Sequence, residues 1–115
     1  MSQVGLTESQ ANERHGGCVV GRAPFEELAR GRIAGVRDGL LKIVADARGR
    51  RLLGAQIVGE GATELVHVAQ IAIATGAGVD LFVEQSFNFP TLAEAYRVAA
   101  LDVVRQREKA EREAA

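Results

Sequence analysis

Three features of this chain of 115 residues predict an α+β domain, an antiparallel β-sheet with its helices packed on one side. Leu41, Ile43 and Ala45 alternate with Lys42, Val44 and Asp46, the period of a strand with one strongly apolar face. A polar turn at Arg48-Gly-Arg-Arg51 separates that run from a second, Leu52 to Val58, and two runs joined by a short glycine-containing loop form a β-hairpin. Two helical patterns then follow the hairpin instead of alternating with strands, which sets this class apart from a parallel α/β sheet.

Met1 to Leu6 is a short extended lead-in. Thr7 and Gln10 have the spacing of a capping box, so a short helix should run to Glu13 or Arg14 and end at Gly16 and Gly17. Cys18 opens a strand that can reach Phe25 if Pro24 lies at a sheet edge, because proline cannot donate to a ladder. From Phe25 to Gly35 helix and loop both stay open, since two glycines interrupt the helix formers. Glu60 to Thr75 reads as a helix with Leu65, Val68, Ala69, Ala72 and Ile73 on one broad face, stopped by Gly76 and Gly78. Val79 to Gln85 gives one or two helical turns. The last helix runs from Thr91 to about Glu113 on a stripe of Leu92, Ala95, Tyr96, Ala99 and Val103, and Thr91 with Glu94 repeats the capping-box spacing. Residues 1–104 therefore form one domain, and 105–115, alternating in charge with no apolar face, a solvated, fraying helical tail or else a linker remnant.

Composition excludes several functions. The formal net charge of −1 leaves no surplus of positive charge for a phosphate backbone, so nucleic acid is not expected as a partner. Cys18 is the single cysteine, which rules out an internal disulfide and a cage of thiolates; it reads as a small apolar filler. No apolar run reaches membrane-spanning length and the polar N-terminus is not a signal peptide, so a cytoplasmic protein without a membrane partner is the expectation. His67 and Glu64 share a helix face, His15 lies near the chain end, and no third ligand is spaced to complete a metal site. Asp80 and Glu84 fit a solvated face. Gly59-Glu-Gly61-Ala-Thr-Glu64 approaches a dinucleotide-binding fingerprint, but Glu64 replaces the third glycine and its carboxylate would repel a pyrophosphate; a tight strand-to-helix turn explains it better. The helix over 65–75 is apolar almost all round, with Val66, Val68, Ile71 and Ile73 on several faces. One small sheet covers only one of them, so a homodimer is expected.

Val4-Gly-Leu-Thr-Glu8, Gly54-Ala-Gln-Ile-Val-Gly59, Ala62-Thr-Glu-Leu65 and Phe89-Pro-Thr-Leu-Ala-Glu94 occur in one order over most of the chain. Together they resemble the C-terminal dimerisation domain of the pyridine nucleotide-disulfide oxidoreductases, and Phe87 to Ala100 is most similar to the soluble NAD(P) transhydrogenase branch of that family. The resemblance implies FAD and NAD(P) in a full-length enzyme, bound by two domains that this chain lacks. It also implies that Phe89 and Pro90 face the partner subunit's flavin as an apolar wall. In the disulfide reductases a histidine precedes the proline and works with the glutamate as an acid–base pair; here Phe89 replaces the histidine and Glu94 matches the glutamate. A phenyl ring moves no proton, so the resemblance favours hydride exchange over disulfide reduction. The chain alone is then inactive, with no catalytic residue, metal or cofactor of its own. It serves as an interface module that completes a flavoenzyme whose FAD- and NAD-binding domains are encoded upstream or separately. A stand-alone homodimeric scaffold without flavin is the alternative, and a small nucleotide-binding enzyme a weaker one.

Overall fold

The computed structural model describes residues 1–28, 39–59, 61–84 and 93–114. Its elements are β1 (Ser2–Gly5), α1 (Glu8–His15), β2 (Val19–Pro24), a 3₁₀ turn at Phe25–Glu27, β3 (Gly39–Ala45), β4 (Leu52–Gly59), α2 (Ala62–Ala74), α3 (Asp80–Glu84) and α4 (Glu94–Ala114). The described strands form a four-stranded antiparallel sheet in the order β1-β4-β3-β2. The expected hairpin is β3–β4, with a register shift at Val44 and Ala45 where the strands enter their turn. Pro24 sits in β2, at the sheet edge that a proline requires.

The alternation in β3 divides two cores. Leu41, Ile43 and Ala45 are fully buried with Ala55 and Ile57 of β4 in the main cluster, which α2 and α4 cover from one face. Val44 points to the other face, where it packs with Leu53 and Ala11 of α1, and with Leu6 and Cys18 at the margin. The two long helices thus share one side, as the sequence predicts, and α1 adds a small cover on the opposite side. The N-terminus of α1 carries its capping box: Thr7 accepts from the Gln10 amide at 3.2 Å, and the Gln10 side chain accepts from the Thr7 amide at 3.0 Å. That satisfies two amides a helix start otherwise leaves open.

The long helix α4 does more than bury its stripe. It lies so close to β2 that a Cβ on Gly21 would collide with the Ala99 carbonyl. It also closes the outer edge of the sheet: Asp102 accepts the Arg22 amide at 3.0 Å and Gln106 donates to the Val20 carbonyl at 2.8 Å. An unpaired strand edge invites pairing with another chain, and these two side chains remove the invitation at β2.

Candidate functional site

The Phe-Pro-Thr segment that the resemblance singles out lies outside the described residues, Phe89, Pro90 and Thr91 included, and with them the second capping box. Its two flanks are described. Glu84 ends α3 on one side and Glu94, partly buried, opens α4 on the other. Two links tie these flanks to the rest of the domain.

The first is Tyr96. Its ring, wholly buried, packs against Phe82 of α3 with centroids 4.9 Å apart, tilted by 37°. Its hydroxyl donates to the Leu65 carbonyl and accepts the Ala69 amide at 3.3 Å. Those two backbone groups stand four residues apart in α2, the spacing of one rung of a helical ladder. One phenol therefore ties α2, α3 and α4 together just after the segment ends. Burial pushes its pKa up to about 12, against a smaller opposing effect of the Ala69 amide.

The second is Arg107. Its guanidinium grips Asp80 with both terminal nitrogens, at 3.0 and 3.2 Å, and donates to the Gly49 carbonyl at 3.0 Å. The fork geometry suits a bidentate carboxylate contact, and the Arg107 side chain is only 9% exposed. The hydrogen bonds from Arg107, followed by its charge, outweigh partial burial and hold the Asp80 carboxyl below the usual carboxylate range. Two expectations are corrected here: Asp80 does not lie on a purely solvated face, and the stretch from residue 105 onward is not solvated at Arg107. The signal was available, because 96, 100, 103 and 107 continue one helical stripe at steps of four, three and four.

The other candidates behave as isolated groups. His67 is exposed, its Nδ1 3.1 Å from Oε1 of Gln70, and Glu64 and His15 are exposed too. Among the described residues no cluster of ligating side chains suits a metal ion. Gly59 and Gly61, with φ of 121° and 81°, make the strand-to-helix turn, and exposed Glu64 in the first turn of α2 spoils it for a pyrophosphate. Burial, then the nearby Glu8 carboxylate, pushes the Cys18 thiol up, as befits packing filler.

The outer face of α2 is a different matter. Ala62, Leu65, Ala69 and Ala72 turn inward, while Ile71 is 65% exposed on the opposite side beside His67 and Ala74. Val66, Val68 and Ile73, expected on uncovered faces, lean on the main core instead, so the outer surface of α2 is less apolar than the sequence suggests, and Ile71 stands there among exposed His67, Gln70 and Ala74. Among the described residues no helix is long and apolar enough to cross a membrane.

Residues 1–100 match the family described as pyridine nucleotide-disulphide oxidoreductase, dimerisation domain. This chain belongs to that family. It is 43% identical to the soluble pyridine nucleotide transhydrogenase of Mycobacterium tuberculosis over 104 residues, 90% of this chain and 22% of that protein. The counterpart from Escherichia coli is 42% identical over 105 residues, again covering 22% of its length. In structure the chain resembles the HOCl-induced flavoprotein disulfide reductase RclA from Escherichia coli, with a TM-score of 0.79 at 25% identity over 86% of this chain and 23% of that one. The chain thus spans about a fifth of the oxidoreductases it matches, and that fifth is their dimerisation domain.

Proposed function

We propose that this chain is the association module of a flavin-dependent pyridine nucleotide oxidoreductase of the transhydrogenase type, and that it pairs with a second copy through the outer face of α2. The observation that carries the reading is Ile71, exposed on a helix whose other face is fully committed to the sheet. FAD and NAD(P) would bind in domains supplied outside the matched fifth. The turn at Gly59 to Glu64 does not fit a dinucleotide, so no chemical step is assigned to a cofactor held by this chain.

In an assembled enzyme Phe89 and Pro90 would form an apolar wall against the partner subunit's flavin and exclude water from it. Glu94, at the start of α4, would hold the end of that segment in place. FAD supplies hydride acceptance and donation; the residues of this chain supply exclusion and position. The fixed flanks support this reading, since Tyr96 and Arg107 give the segment rigid ends. Phe89→His in a flavin-containing assembly is expected to lower hydride exchange between nicotinamides. Unchanged exchange without any gain in thiol chemistry would remove Phe89 from the site.

The deciding experiment is the molar mass of the purified chain by light scattering, with visible absorbance read on the same peak. A colourless dimer is expected. A monomer would overturn association through α2, and a yellow, flavin-loaded peak would make the chain a cofactor-binding protein in its own right.

A further inference from the structure

A hollow of about 280 Å³ lies between the β3–β4 turn and the last turns of α4, apart from the contacts that fix the segment and from the outer face of α2. Part of its wall, Ala110 and Glu111 included, lies beyond residue 100, where the family match ends.

One wall, the turn, is held by hydrogen bonds. Asp46 accepts the Gly49 amide through its carbonyl and the Arg50 amide through its carboxylate, both at 2.9 Å, and so locks the turn. Gly49, at φ 69°, touches down on α4: a Cβ there would stand 3.3 Å from the Arg107 Cβ, and its carbonyl already accepts from that guanidinium. The turn is thus held at a fixed distance from the helix. Half-buried Val19 and exposed Ala110 supply apolar lining, and the charged lining is Arg48, Arg50 and Arg107 against one carboxylate, Glu111.

The charges are not equally available. Arg107 is committed to Asp80 and Gly49. Arg50 reaches Glu111 at 3.2 Å, but both side chains are more than half exposed, so water competes for the pair and it exchanges easily. Arg48 is exposed and has no ion-pair partner among the described residues. The carbonyl end of α4 opposes an anion with roughly half a charge, less than the whole charge of Arg48. Asp80 balances Arg107 and Glu111 balances Arg50, and the Asp46 carboxylate is bonded to the Arg50 amide behind the turn, so Arg48 is the cation of the rim left without an ion-pair partner among the described residues.

We propose that this hollow binds a small molecule with a ring-sized apolar body and one anionic head, a phosphate monoester or a carboxylate. The head lies between Arg48 and Arg50, displacing Glu111 from Arg50, and the body lies on Val19 and Ala110. The volume, just below the usual range of about 300–1,000 Å³ for small-molecule pockets, limits the body to about one ring. The proposal is independent of the oxidoreductase reading.

The test is an NMR titration of the full isotope-labelled chain at constant ionic strength with phenyl phosphate, benzoate, inorganic phosphate and sodium chloride. Saturable shifts confined to Arg48, Arg50, Val19 and Ala110 are expected for at least one ring-bearing anion, with a Kd roughly tenfold or more below that of inorganic phosphate. Whichever of phenyl phosphate and benzoate binds more tightly identifies the head group. Arg48→Ala with Arg50→Ala should weaken that binding roughly tenfold or more, and Glu111→Gln should tighten it several-fold by freeing Arg50. Both arginines are exposed, so the fold is undisturbed, and the rest of the spectrum verifies it. Shifts that follow sodium chloride, that never saturate, or that ignore these substitutions would overturn the proposal.

Discussion

Tyr96 is the only tyrosine of the chain, and tryptophan is absent, so its ionisation can be followed directly by near-ultraviolet absorbance. Its folded pKa of about 12 lies above the ordinary value of 10.0. The protonated phenol is therefore the form that folding favours. The stability it contributes is complete below pH 10 and is lost as pH rises toward 12. We expect the folded chain to titrate on that raised curve and the chain in denaturant to return to the ordinary one. An ordinary titration in the folded state would mean that the hydroxyl is not held in α2. Tyr96→Phe removes the hydroxyl's bonds to the Leu65 carbonyl and the Ala69 amide, which can still pair with each other along the helix, so a loss of roughly 0.5–1.5 kcal/mol is expected, measurable by urea unfolding. The same substitution should abolish the difference between the two titrations' effect on stability above pH 10.

At the scale of elements, Arg107 joins α4 to α3 and to the β3–β4 turn, three pieces that follow one another closely around the main core. Arg107→Met strips a partner from Asp80 and from the Gly49 carbonyl. Breaking a buried pair costs about 3–5 kcal/mol, but Asp80 is 39% exposed, so about 1–3 kcal/mol is the expected loss. Because Asp80 titrates below the usual carboxylate range, its contribution is complete above that range and falls away as acid protonates the folded form. The parent should therefore lose stability more steeply in acid than the Met variant, as read by denaturant midpoints across a pH series. Parallel curves would show the pair to be a surface contact only. This contact also marks where the sequence stops being legible. Hairpin, capping box and helix stripes rest on local spacing, and Thr7 with Gln10 or Leu41 with Ile43 could be read directly. A bond from residue 107 to residue 80 depends on how two helices pack, which a charged, alternating tail conceals. The second core beneath α1 was hidden for a similar reason: Val44 sits in the polar half of an alternating pattern and shows its purpose only once Ala11 lies over it. The candidate site was legible only through family resemblance, because Phe89 and Pro90, the proposed apolar wall, carry no ionisable or nucleophilic group to read.

For the whole molecule the question is whether α2 supplies an association surface, and Ile71 allows a test that leaves the fold alone. Being 65% exposed, it contributes little to the monomer, so Ile71→Glu should leave the unfolding midpoint of the isolated chain nearly unchanged. In a two-fold pair the same side chain is buried twice, once from each copy. Fully burying an aliphatic side chain is worth about 1.5–3 kcal/mol, and the exposed portion of Ile71 corresponds to roughly 1–2 kcal/mol per copy, or about 2–4 kcal/mol for the pair. That range converts to a dissociation constant raised by about 30- to 1,000-fold. Sedimentation equilibrium over a concentration series would read it as a shift from dimer to monomer. Leu101→Glu is the control, since Leu101 is 40% exposed but lies on α4, and a charge there should leave association as it was. If both substitutions dissociate the dimer equally, the partner covers α4 as well as α2. If neither does, the pairing surface lies on another face of the domain, and Ile71 is an isolated exposed side chain of the kind any protein surface carries.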